Sequence, residues 1–220
     1  MDSQRFSRDQ LAFLIGVPLA WAVLLLFHPT GDGESITYAD VRDDVTPWLV
    51  VHLGTLIFIP LLAVAVWVLV HGMEGTAAKV SRIGAVIFAI FYGAFEALVG
   101  IGTGILVHDV NALTAGERVA AAGLVTDFND NIIIRGFGIL PSIGTLGLVA
   151  AMIAAGVAIR RQTSAPLSVP ILLGLSGFLI TAHPPPYGPI GLALFIAAVV
   201  LFARSEATSA AAAPLKPRSV

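Results

Sequence analysis

The sequence predicts an all-α integral membrane protein: a bundle of six transmembrane helices, the last two a short hairpin, with both termini cytoplasmic. Three observations carry this. The chain is 57% hydrophobic and only 12% charged, where ordinary soluble domains hold about 25% charged residues. That leaves too little polar surface to cover a soluble fold. The apolar residues gather into stretches near the roughly 20 residues a crossing helix needs. Lys and Arg cluster in alternate connections, which orients the stretches.

The first apolar stretch, residues 11–27, follows Arg5 and Arg8. Its basic start suits a signal peptide, but its apolar run exceeds a typical h-region and no A-x-A-like site follows Phe27. A retained helix is expected. The second stretch covers 48–70 and the third 83–107, with Lys79 and Arg82 between them. The fourth covers 132–159 and ends at Arg160 and Arg161. The fifth and sixth, 167–182 and 189–203, are shorter and flank His-Pro-Pro-Pro-Tyr-Gly at 183–188. Residues 167–203 are too long for one straight crossing at about 1.5 Å per residue. Basic residues at both ends, Arg161 and Arg204, demand an even number of crossings. A two-helix hairpin meets both conditions, and a re-entrant pair reaching part-way is the alternative. The proline run stops the helix before it.

Six crossings place Arg5, Arg8, Lys79, Arg82, Arg160, Arg161, Arg204, Lys216 and Arg218 on one side, the cytoplasmic one by the positive-inside rule. The opposite side holds Arg42 and Arg118, with Arg135 at a span edge, among many acids. Residues 1–204 thus form one transmembrane domain. Residues 205–220, rich in Ala, Ser and Pro, read as a disordered cytoplasmic tail. Of the outer connections, 29–47 opens with turn-forming Pro-Thr-Gly-Asp-Gly-Glu. The other, 108–131, contains a capping box, Thr114 with Glu117, ahead of a short interfacial helix or an extension of the fourth span.

Several chemistries are excluded. With no cysteine, disulfides, thiolate metal sites and Cys nucleophiles are absent. No basic stripe suggests nucleic acid. No lysine lies in an apolar stretch, so a retinal Schiff base is ruled out. The glycines at 100, 102 and 104 follow no strand, and therefore read as helix packing rather than a dinucleotide fingerprint.

Glu96 is the one acid deep in a span. Gly93, Glu96, Gly100, Thr103 and Gly104 share a helix face, and small residues let membrane helices approach closely. Glu96 therefore faces the bundle interior, either as a hydrogen-bonded structural group or as a proton- or ion-carrying carboxyl. His28, His52, His108 and His183 fall at the outer ends of four spans. A one-sided set of ionisable groups at a membrane edge is a functional candidate. With Asp109 they could ligate a metal or a haem, although no H-E-x-x-H or paired-histidine spacing supports it. Taken singly, each suits an interface position. Arg135 enters the outer part of the fourth span, suited to snorkelling toward Asp109, Asp127 or Asp130 or to binding an anion or headgroup. Trp21, Trp48, Trp67 and Tyr187 read in part as interfacial anchors.

The segments Phe-His-Pro-Thr-Gly-Asp-Gly at 27–33, Trp-Leu-Val-Val-His-Leu-Gly-Thr at 48–55 and His-Pro-Pro-Pro-Tyr-Gly-Pro-Ile-Gly-Leu-Ala at 183–193 resemble small polytopic membrane proteins of high-GC bacteria such as actinobacteria. That resemblance spans most of the chain and implies no particular activity, so it assigns no catalytic residue. It implies a multi-pass protein of a bacterial plasma membrane, in contact with lipid, with room for a membrane-protein partner or a homo-oligomer.

Two functions follow. The first is a non-enzymatic membrane component or small permease-like protein with a buried carboxyl at Glu96. The second is an outer-leaflet metal- or haem-binding enzyme using His28, His52, His108 and His183, in which a metal-bound water supplies the nucleophile. The two differ in whether the outer helix ends surround one polar cavity.

Overall fold

The computed structural model describes residues 6–29 and 36–212. Most of the turn expected at 29–34, and the tail residues 213–220, lie outside the described residues. All regular structure among the described residues is helical.

Helix α1 (Arg8–Leu25) starts at Ser7, whose hydroxyl accepts the Gln10 N–H at 3.1 Å while the Gln10 side chain accepts the Ser7 N–H at 2.9 Å. This reciprocal box satisfies two of the donors a helix start leaves open. The short α2 (Tyr38–Val41) leads into α3 (Val45–Leu69). A tight turn with Gly72 and Gly75 at positive φ then reverses the chain. There Arg82 holds the end of α3, donating to the carbonyls of Val70 and Met73 at 2.9 Å each. Next comes one continuous helical rod: α4 (Gly75–Phe95), a π-helical segment (Glu96–Gly102) and α5 (Thr103–Asn111). The outer helix α6 (Ala115–Asn129) is followed by α7 (Ile139–Gln162), α8 (Ser168–Thr181) and α9 (Tyr187–Ala212).

The long helices pack in a closed ring, α1 on α3, α3 on α4, α4 on α7, α7 on α8, α8 on α9, and α9 back on α1. Short connections hold α3 and α4, α7 and α8, and α8 and α9 as neighbours, whereas α5 and α6 intervene in the chain before α7 packs on α4. The α4–α7 seam is the closest. A Cβ at Gly84 would sit 2.5 Å from the Gly147 carbonyl, and one at Gly144 2.7 Å from the Tyr92 nitrogen. Small residues on both helices let the backbones touch, the usual association mode for helices in lipid. Much of the ring's outward surface is large and apolar, including Leu26, Ile57, Ile83, Ile90 and Leu146.

Among the described residues, five helices are long and apolar enough to cross a membrane: Arg8–Leu25, Val45–Leu69, Gly75–Asn111, Ile139–Gln162 and Tyr187–Thr208. The expected fifth span is instead the 14-residue α8, about 21 Å long at 1.5 Å per residue against a hydrocarbon core of about 30 Å. Three boundaries also differ from the hydropathy pattern. The third helix begins at Gly75, not at 83, and takes in Lys79 and Arg82. The fourth helix begins at Ile139, not at 132. Residues 132–138 are apolar but turn, with the Gly138 N–H on the Arg135 carbonyl at 2.6 Å and the Ile139 N–H on the Ile132 carbonyl at 3.0 Å. At the other end, α9 runs on to Ala212. Residues 205–212, expected as tail, continue the helix because they are alanine-rich and alanine is the strongest helix former.

A second apolar cluster roofs the end of the ring where α3 begins: Val41, Trp48, Val107, Val110 and Val125. It is tied down by Tyr38 donating to Asn111 Oδ1 and by Thr103 donating to Asn129 Oδ1 at 3.0 Å. The Thr114–Glu117 box starts α6 as the sequence predicts, with the Thr114 hydroxyl donating to Glu117 Oε2 at 2.6 Å. These contacts brace the start of α3, where the site lies.

Candidate metal centre

Three of the four outer histidines meet. His28 follows α1, His52 sits in the first turns of α3, and His183 lies between α8 and α9. Their ring centroids are 4.8 Å (28–52), 5.0 Å (28–183) and 5.9 Å (52–183) apart. One ligand nitrogen from each lies within 4.8 Å of the other two. The helix ends converge because α1 ends, α3 begins and the α8–α9 turn falls at one end of the ring. His108 and Asp109 do not join them: both are exposed on α5, outside the cavity the three rings line. Arg135 is exposed in the turn before α7, also outside that cavity.

The protonation pattern of the rings is fixed by their neighbours. The Nδ1 of His28 lies 2.6 Å from the Pro29 carbonyl, and the Nδ1 of His52 lies 2.7 Å from the Trp48 carbonyl. A carbonyl only accepts, so each Nδ1 carries the proton. The Nδ1 of His183 is 3.0 Å from the Tyr92 hydroxyl, which itself donates to the Thr181 carbonyl at 2.6 Å. The hydroxyl proton is thus spent, and the Tyr92 oxygen accepts from His183. In a neutral imidazole the proton on Nδ1 leaves Nε2 with a bare lone pair. The Nε2 of His28 is buried with no partner, an unusual state for a polar atom that demands an explanation. Metal-ligating histidines carry this arrangement, one nitrogen tied to an oxygen and the other free for the ion.

Burial lowers the pKa of His28. It lowers that of His183 further, with the neighbouring His28 and His52 adding to the effect. Both rings therefore stay neutral, the ligating form, at neutral pH.

Glu96 enters from the long rod. It is 1% exposed, its Oε1 lies 3.9 Å from His52 Nε2, and that oxygen has no hydrogen-bond partner. It begins the π-helical segment, and π turns recur at functional sites because they re-aim side chains. The segment also frees a backbone acceptor: the Trp48 indole N–H donates to the Gly100 carbonyl at 2.6 Å. A Cβ at Gly100 would collide with the His52 ring, so only glycine lets the rod lie this close to the histidine.

The rings and Glu96 line a cavity of about 410 Å³ that Asp40, Trp48, Phe95, Val99 and Tyr187 also line. Among the described residues no Lys or Arg lines it. Trp48, Tyr92 and Gly100 lie against the histidine cluster, a placement that hydropathy missed. Trp48 and Trp21, expected in part as interfacial anchors, are buried; the Trp21 indole donates to Thr55 Oγ1 at 3.2 Å inside the bundle. The available signal for Trp48 was its spacing from His52, four residues along one helix, which stacks the two side chains. Comparison with protein-family models, with curated proteins and with solved structures finds no match to this chain.

Proposed function

We propose that this protein is a multi-pass bacterial plasma-membrane protein whose function rests on a divalent transition-metal ion, zinc first, held by His28, His52 and His183 at the outer end of its helix ring. The carrying observation is that one nitrogen from each of the three imidazoles lies within 4.8 Å of the other two, while each Nδ1 faces an oxygen and the buried Nε2 of His28 has no partner. Nitrogen-only ligation of this kind suits zinc and its neighbours rather than magnesium or calcium, which take oxygen. Haem fits less well. The three imidazoles lie directly against one another, which leaves no gap for a macrocycle between any two.

Six crossings with both termini cytoplasmic are supported by the basic residues at 160–161 and 204 and by the closing of the helix ring through α8, which at 14 residues crosses a locally thinned bilayer as the short arm of a hairpin with α9. On this topology the centre faces the outer side. Glu96, on which a permease-like reading would depend, belongs to the same cavity, so one site accounts for both sets of polar groups.

The test is elemental analysis of detergent-purified protein after dialysis against zinc. One equivalent per chain, lost in His52→Ala and kept in His108→Ala, is the expected result. Zinc no higher than a detergent blank would overturn the reading.

A further inference from the structure

We infer that the ion's fourth position is kept for water, that Glu96 is the general base beside it, and that the reaction is hydrolysis of a carboxylic ester of a membrane amphiphile. This rests on the metal reading above and extends it to a reaction and a substrate class.

The ligand count comes first. Among the described residues, one nitrogen from each of the three histidines lies within 4.8 Å of the other two. Glu96 stands next to them, its Oε1 3.9 Å from His52 Nε2 and unpartnered. Three protein ligands with an open position distinguish catalytic from structural zinc. A buried carboxylate beside that position is what a water needs to lose its proton on attack.

The cavity then limits the substrate. Among the described residues its charged lining groups are Asp40 and Glu96, with no Lys or Arg. Arg42 and Arg118 do not line it: Arg42 pairs with Asp43 at 3.2 Å, and Arg118 donates to the carbonyls of Asn111 and Leu113 at 2.9 Å each. A phosphoryl centre, whose negative charge calls for cationic clamps, is poorly served. A neutral carbonyl is well served.

A second cavity supplies the apolar half of the substrate. It has a volume of about 570 Å³ and is lined by Phe137, Pro141, Leu146 and Phe178 among others. It shares Ala182 with the histidine cavity, and His183 is the next residue. Phe137 is 96% exposed and Phe178 58%, so its walls face the lipid side of α7 and α8. An acyl chain lying there brings its carboxyl end to the metal centre.

The step balances without any other reagent. The water oxygen attacks the carbonyl carbon and its proton passes to Glu96. The bond from carbonyl carbon to alkoxy oxygen then breaks, and the departing oxygen takes the proton back. The products are a carboxylic acid and an alcohol.

The experiment uses detergent-purified full-length protein with zinc content measured on every sample. The substrates are 4-nitrophenyl dodecanoate in mixed micelles, 4-nitrophenyl acetate and bis(4-nitrophenyl) phosphate. Zinc-loaded wild type should cleave the dodecanoate in preference to the other two. Glu96→Gln should keep its zinc equivalent and lose about 10²- to 10⁴-fold in rate. With cobalt in place of zinc, Glu96→Gln should leave the visible ligand-field spectrum unchanged at fixed pH. A zinc-loaded wild type without esterase activity, a Glu96→Gln variant with wild-type rate, or faster phosphodiester cleavage would overturn the inference while the metal reading stands. A cobalt spectrum altered by Glu96→Gln would make Glu96 a ligand and overturn its role as base. A zinc-free wild type would overturn both readings.

Discussion

The indole of Trp48 lies on the imidazole of His52, with ring centroids 4.2 Å apart and planes 28° apart, while its N–H holds the Gly100 carbonyl of the π segment at 2.6 Å. The Trp48 carbonyl also accepts from His52 Nδ1. One residue thus fixes the ring's plane, its tautomer and the distance to the helix bearing Glu96. Trp48→Phe keeps an aromatic face but removes the indole donor, leaving a buried carbonyl unsatisfied. The expected cost is about 1–3 kcal/mol of stability, read as an earlier unfolding midpoint of metal-free protein in detergent titrated with denaturing surfactant.

Tyr92 reaches across the ring to accept from His183. Tyr92→Phe fills the same space without the acceptor, freeing the ring to rotate. Zinc affinity measured by competition with a chromophoric chelator should fall about 10- to 100-fold, as when other orienting partners of metal ligands are removed. Unchanged affinity would remove Tyr92 from the site.

Two glycines two residues apart should differ sharply. An added Cβ at Gly100 strikes the His52 ring, whereas at Gly102 its nearest neighbour is Phe128 at an ordinary 3.5 Å. Gly100→Ala should destabilise the fold by about 1–3 kcal/mol, as overpacking does, and abolish stoichiometric zinc. Gly102→Ala should bind zinc as wild type does. Equal behaviour of the two variants would contradict the close approach of the rod to α3.

The outer helix carries its own pH dependence. Glu117 accepts from the Thr114 hydroxyl and N–H, which lowers its carboxyl pKa below the ordinary value. A depressed carboxyl contributes stability that is complete above its unfolded value and is lost as pH falls through its folded one. Protonation should therefore loosen the start of α6 only in acid, below the usual glutamate range. A carbon-13 titration of the Glu117 carboxyl should show a midpoint below that of free glutamate, and Thr114→Ala should bring it back up.

Much of this was legible in the sequence, for reasons that also explain the gaps. Apolar length and basic loops reveal helices and their order, and depth along each span puts His28, His52 and His183 at one end. Depth does not tell which side of a helix faces inward. His108 shares the depth of the others but not their cavity: at about 100° per residue it lies about 120° round the helix from Glu96, and beyond the π segment at Glu96–Gly102 it is exposed on α5. Glu96, at the start of that segment, keeps the inward orientation its glycine-rich face suggests. The start of α7 was hidden because hydropathy does not distinguish an apolar turn over 132–138 from a helix. The short α8 was visible as an apolar run, but its 14 residues fall below a full crossing.

The most direct measurement is X-ray absorption at the zinc edge on the purified, zinc-loaded protein. The account predicts imidazole scattering from three nitrogens at about 2.0–2.1 Å with one further light ligand, and its loss in His28→Ala, His52→Ala and His183→Ala alike. A shell of oxygens without imidazole scattering, or a spectrum that survives all three substitutions, would contradict it.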